Sequence, residues 1–192
     1  MSTNDFSNYK AVIIGGSAGS FQIIVNILNA LPKNLDMPVF LCLHRLKHVR
    51  SGFVETLMLR SSIPVMEPLD KEAIKPGRAY LAPANYHMFV EMGNKIALST
   101  EEPVHHSRPS IDLGFYTAAQ AYRNKLIGII LSGANRDGAM GFKKIADLGG
   151  YTIVQDPKDS EVATMPESAL QLTKANQVLS AEKIINFLSK LK

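Results

Sequence analysis

The sequence predicts an α/β fold, a doubly wound three-layer α/β/α sandwich, and two observations carry that prediction. Three short runs, "AVIIGG" from Ala11, "MPVFLCLH" from Met37 and "LIGIILSG" from Leu126, are apolar without polar alternation, as strands buried on both faces of a parallel sheet are. Segments with helical periodicity lie between and after these runs. Strands that alternate with helices need right-handed crossovers, which lay helices on both faces of the sheet.

Each element follows in order. "AVIIGG" is the first strand. Phe21 to Leu31 is the first helix, with Ile23, Ile24, Ile27, Leu28 and Leu31 on one side and Pro32 to stop it. "MPVFLCLH" is the second strand. "RAYLAP" reads as extended, and "HMFVEMGNKIALST" as an antiparallel hairpin turning at Met92-Gly93-Asn94-Lys95. Ser110 to Tyr122 is a helix after Pro109, with Ser110 as N-cap and Asp112 in the first turn, where a negative charge complements the helix dipole. "LIGIILSG" is a further strand, and Gly138 to Leu148 a helix ending at Gly149-Gly150. The tail adds the strand "YTIVQD" and helices around Pro166 to Leu172 and Ala181 to Leu191. Without repeat, low-complexity tract or linker, residues 1–192 read as a single domain.

Composition excludes several classes. The net charge of +4 is mild, and the basic residues are scattered, so no nucleic-acid stripe is expected. Cys42 is the single cysteine; it lies in an apolar run and reads as a buried small hydrophobe. One cysteine forms no internal disulfide, which fits a reducing compartment. The polar start "MSTNDFSNYK" lacks signal-peptide character, and no apolar run approaches a membrane span. A cytoplasmic protein without membrane insertion is expected.

The turn after the first strand, "GGSAGS", poses the functional question. A dinucleotide turn needs G-x-G-x-x-G, but from Gly15 the required positions hold Ser17 and Ser20; a P-loop needs a Gly-Lys pair that is missing. G-x-S-x-G does fit, as Gly15, Gly16, Ser17, Ala18 and Gly19, in the strand-to-helix context of a nucleophile elbow. Ser17 is then the candidate nucleophile, and the Ala18 amide can donate to an oxyanion; the plain alternative is a tight glycine turn.

A serine nucleophile needs a base held by a third group. Of the five histidines, His44 is best placed, because it ends the second strand on the sheet edge that carries Ser17. His48, His87, His105 and His106 rank lower. Asp137 follows the strand from Leu126 and is the candidate third member, although an aspartate before a helix is often only an N-cap. Asp112, Asp147 and Asp156 are alternatives, the first two better suited to capping or solvated faces. The order Ser17, His44, Asp137 differs from the Ser…Asp…His order of α/β-hydrolases.

Six segments, "IGGSAGS", "LCLH" followed by "SGFVETL", "PGRAYLAPANYHMFV", "SRPSIDLGF", "GIILSGANRDGAMG" and "MPESAL", carry a resemblance over nearly the whole length. In this order and spacing the chain resembles the catalytic domain of the chemotaxis protein-glutamate methylesterases, the CheB family. The resemblance implies a Ser-His-Asp triad at Ser17, His44 and Asp137, with hydrolysis of γ-glutamyl methyl esters on methyl-accepting chemoreceptor helices and deamidation of receptor glutamines. It implies no cofactor and no metal, and the sequence offers no cluster with metal-ligand spacing.

Four departures stand beside it. Ala18 replaces the usual threonine. "GAN" replaces "GMG", putting Ala134 and Asn135 where a thioether and a glycine are usual. "RLKHVRSGF" lengthens the link after His44, and only about nine residues precede the first strand, so control is expected from a separate regulatory or receiver partner. Ala18, Ala134 and Arg108 of "SRPS" are the expected oxyanion and substrate residues, and Arg108 and the basic loop from Arg45 to Arg50 can draw an acidic partner. The alternative function is a non-catalytic interaction module of this fold in a chemotaxis-type signalling complex. A nucleotide-binding domain is the weakest reading.

Overall fold

The computed structural model describes residues 8–45 and 52–192. In chain order the strands and helices are β1 (Ala11–Gly16), α1 (Phe21–Ala30), β2 (Val39–Leu43), α2 (Phe53–Arg60), β3 (Val65–Met66), β4 (Ala79–Leu81), β5 (His87–Glu91), β6 (Lys95–Ser99), α3 (Ile111–Tyr122), β7 (Leu126–Ile130), α4 (Ala139–Asp147), β8 (Tyr151–Gln155), α5 (Thr164–Leu172), β9 (Gln177–Leu179) and α6 (Ala181–Leu188). Seven strands form one sheet in the order β3-β4-β2-β1-β7-β8-β9, and β5 and β6 form a separate antiparallel pair. Every pairing in the large sheet is parallel. The doubly wound α/β fold with an antiparallel hairpin is the one the sequence predicts.

Burial explains the unbroken apolar runs. Along β1, Val12 and Ile14 join the core under α1 and α6, while Ala11 and Ile13 join the core under α3, α4 and α5. β2 divides the same way, with Leu41 on one side and Phe40 and Cys42 on the other. Side chains alternate across a strand, so a sheet covered on both faces needs apolar residues at every position.

Small residues set how closely the second layer packs. A Cβ on Gly141 would lie 2.7 Å from the Asp112 carbonyl oxygen and 2.6 Å from the Phe115 Cβ, so α4 rests there directly on α3. Gly141→Ala is expected to cost about 1–3 kcal/mol, because the carbonyl cannot move without shifting α3. Thermal denaturation checks this; an unchanged midpoint would mean the two helices part freely.

Parallel order brings the carboxyl ends of β1, β2 and β7 to one edge. β1 is followed by β2 on one side, while its other neighbour, β7, is reached from elsewhere in the chain, so the strand order reverses between β1 and β7. Crevices form at such a switch point.

Candidate active site

Ser17 follows β1 directly, in a turn pinned from several sides. Its N–H donates to the Ser132 carbonyl at 2.9 Å, and its carbonyl accepts the Ser20 hydroxyl at 2.7 Å. The Ser132 hydroxyl donates to the Ala18 carbonyl at 2.7 Å and accepts the Val162 N–H at 2.9 Å. The fully buried Ser132 is itself held by Gln155, whose Oε1 accepts its N–H at 2.9 Å. The glycines are needed here for space and for conformation. A Cβ on Gly16 would meet the Ser20 hydroxyl at 2.7 Å; Gly19 has φ +79° and would meet Ser132 Oγ at 2.7 Å. The half-buried Ser17 hydroxyl is left without a hydrogen-bond partner among the described residues, and so is the N–H of the exposed Ala18.

His44 ends the second strand as expected, and its N–H donates to the Gly16 carbonyl at 3.1 Å, tying the β2 end to the β1 turn. Its Nε2 lies 2.7 Å from Asp137 Oδ2, with the histidine side chain 12% exposed and the aspartate fully buried. Asp137 follows β7, and it does not cap its own helix. Its Oδ2 also accepts the Ile111 N–H at 2.7 Å, and its Oδ1 accepts the Ser110 hydroxyl and the Asp112 N–H, both at 3.0 Å. Asp137 therefore closes the N-terminus of α3, where the helix dipole and free N–H groups favour an anion.

Asp112 reciprocates at α4, accepting the Gly141 N–H at 2.7 Å. It is half-buried and caps α4, the first of the two roles the sequence allows it, and does not face open solvent. Burial, with Asp137 adding to it, pushes the Asp112 carboxyl above the ordinary range against the pull of the Gly141 N–H. Asp147 is exposed and paired with Lys143, and Asp156 accepts a local N–H from Lys158; neither approaches His44.

Burial works to raise the Asp137 carboxyl, but the hydrogen bonds from His44, Asp112 and Ile111 prevail and hold it below the ordinary carboxylate range. An ionised Asp137 can only accept, so His44 donates through Nε2–H and keeps its lone pair on Nδ1. The tautomer follows from this network. Nδ1 faces the Asn135 amide nitrogen at 3.4 Å and the Ser107 hydroxyl at 3.5 Å. Cys42, nearby in the core, is no competing nucleophile: burial first, and then the charge of Asp137, push its thiol up to about 12.

Ser17, Ala18, His44, Arg45 and Arg108 all line one cleft of about 700 Å³. Arg108 donates through Nη1 to the carbonyls of Thr100 and Glu101 at 2.5 and 2.8 Å, so its guanidinium holds the cleft wall. Arg45 pairs with Glu67, lies 5.6 Å from the Phe53 ring centroid and donates to the Ala82 carbonyl. Ala134 is exposed and lies outside the lining; its neighbour Asn135 is the one that reaches His44. His106 lines the cleft, His105 lies 3.7 Å from Asp112, and His48 falls outside the described residues. His87 is fully buried, accepting the Ser110 N–H on Nδ1 and bonding the Glu102 carbonyl through Nε2. Among the described residues no group of three or more His, Cys, Asp or Glu side chains could hold a metal ion, and no helix is long and apolar enough to cross a membrane.

Fold and site together define a class of doubly wound α/β proteins that gather a serine, a histidine and an aspartate at the carboxyl edge of a parallel sheet. The chain belongs to the CheB methylesterase family, whose family model matches residues 12–188. A Leptospira interrogans relative is 42% identical over 184 residues, covering 96% of this chain and 95% of the relative. The protein-glutamate methylesterase/protein-glutamine glutaminase 4 of Geobacter metallireducens is 36% identical over 183 residues, and the match spans 95% of this chain but 53% of that protein. The crystal structure of the Thermotoga maritima CheB methylesterase catalytic domain superposes with a TM-score of 0.88 at 31% identity, covering 95% of this chain and 98% of that one.

Proposed function

We propose that this protein is a serine hydrolase that removes methyl groups from glutamyl γ-methyl esters on chemoreceptor helices, and deamidates receptor glutamines, through Ser17, His44 and Asp137. The observation that carries this is the His44–Asp137 pair at 2.7 Å, with His44 lining the cleft that Ser17 also lines. Relatives named for both activities support the substrate class.

In the proposed reaction the Ser17 oxygen attacks the ester carbonyl while His44 Nδ1 takes its proton. The Ala18 N–H donates to the oxyanion of the tetrahedral intermediate. Collapse expels methoxide, which leaves as methanol with the proton from His44. Water then attacks the acyl-serine by the same route, giving a glutamate carboxylate and restoring Ser17. Asp137 fixes the imidazole through Nε2 and stabilises its cation, so the nitrogen turned to the serine is Nδ1, the reverse of the usual arrangement. A glutamine substrate differs in releasing ammonia.

We read residues 1–192 as one catalytic domain acting in the cytoplasm, a setting supported by a single buried cysteine and no disulfide, and under the control of a separate receiver-type partner. Incubation with a methylated receptor fragment is expected to release one methanol per methyl ester hydrolysed, measured by vapour-phase transfer of labelled methyl groups. No methanol from a folded protein would favour the non-catalytic interaction module.

A further inference from the structure

We infer that Asn135 is a positioning residue that restrains the enzyme by occupying the lone pair of His44 that Ser17 must use. This rests on the proposed roles of Ser17 and His44 and concerns a residue outside the three.

The geometry is specific. Asp137 takes the proton-bearing Nε2 of His44 at 2.7 Å, leaving a single acceptor on the ring, Nδ1. Asn135 Nδ2 lies 3.4 Å from that atom. The amide cannot be turned over without loss, because Asn135 Oδ1 accepts the Asp137 N–H at 3.1 Å, an Asx turn that fixes which end faces the histidine. The same loop segment thus fixes the carboxylate behind the imidazole and sets a donor in front of it. Ser107 also approaches Nδ1, at 3.5 Å, but its hydroxyl rotates freely and can accept as well as donate. Asn135 can only donate there.

One lone pair serves one strong hydrogen bond. For Ser17 to lose its proton, its hydroxyl must displace the amide from Nδ1, and a donor on Nδ1 also makes that nitrogen a weaker proton acceptor. The bond is long, so the restraint is moderate, of the size of one net neutral hydrogen bond, about three- to tenfold in rate. A glycine or serine at this position would leave Nδ1 open to Ser17.

Asn135→Ser tests this, because its hydroxyl can still accept the Asp137 N–H in the same kind of turn while falling short of His44; Asn135→Gly is the second variant. The rate of Ser17 labelling by a fluorophosphonate, and kcat with a methylated receptor fragment, are expected to rise about three- to tenfold with KM unchanged. The ¹⁵N resonance of His44 Nδ1 is expected to move toward that of an unbonded pyridine-type nitrogen, which a merely structural role would not cause. Unchanged or slower labelling in folded variants, or an unmoved Nδ1 resonance, would overturn the inference. Ser17→Ala run alongside separates the two ideas. If it still labels and turns over, the nucleophile assignment fails; if it is inert and the Asn135 variants are no faster, only the restraint fails.

Discussion

Ser17→Ala is expected to lower kcat for methanol release by about 10³- to 10⁶-fold with little change in KM or stability. The exchange removes one oxygen that makes no hydrogen bond to a described residue. The turn itself is held by backbone groups: Ser17 N–H on Ser132, Ser17 C=O under Ser20, and Ala18 C=O under Ser132. None of these needs the Ser17 side chain, so the fold and the cleft persist and the loss reads as chemistry. Coupled measurement of methanol release and substrate binding, with thermal denaturation as control, checks the expectation. Retained turnover would move the nucleophile elsewhere; Cys42 could not take its place, since its thiol, pushed up to about 12, stays protonated at neutral pH.

The central strands were legible in the sequence because burial on both faces leaves no polar position to interrupt them; β1, β2 and β7 are buried at every residue. Helix ends marked by local chemistry were equally clear, as Ser110 shows by accepting the Leu113 N–H at the start of α3. The tail helix instead stops at Leu188, short of the expected Leu191. The edge strands could not be read. β3 has two residues, and β9 carries exposed Gln177 and Val178, so neither presents a continuous apolar signal. In α2, Leu57 alone is buried, which is too little periodicity to announce a helix.

Of the site, the three residues at strand ends could be found because parallel order dictates where carboxyl ends gather. Their supports could not. Asn135 and Ser107 meet His44 across 91 and 63 residues of sequence, and no local pattern encodes such a meeting. The contacts that Asp137 makes to α3 were hidden in the same way. Its position before a glycine and a helix also allows an N-cap of α4, yet Gly138 at φ +99° turns the chain so that the carboxylate serves α3 instead. A general signal was still present: an aspartate whose next residue is a glycine free to adopt that conformation need not cap the helix it precedes.

That placement makes Asp137 the residue whose loss should reach both activity and stability, and two substitutions separate the effects. Asp137→Asn keeps the volume but turns one acceptor oxygen into a donor. Either it faces Ser110 and the Asp112 N–H, or it faces His44 and the Ile111 N–H, and in the second case the imidazole must move its proton to Nδ1 to accept from it. A proton on Nδ1 removes the base from Ser17, so kcat is expected to fall about 10⁴-fold in a folded protein. Asp137→Ala leaves buried N–H and O–H groups at the α3 terminus unsatisfied and is expected to cost at least about 3 kcal/mol near neutral pH. The cost must also depend on pH. The folded carboxyl titrates below its ordinary value of 3.8, so its stabilising contribution is complete above that value and is lost as the pH falls through the folded-state pKa. The carboxylate's share of the stability gap between wild type and Asp137→Ala, followed by denaturant unfolding, should therefore shrink once the pH falls below that ordinary value. A gap that stayed the same under strongly acidic conditions would mean that packing, and not the ionised carboxylate, holds α3 against the end of β7.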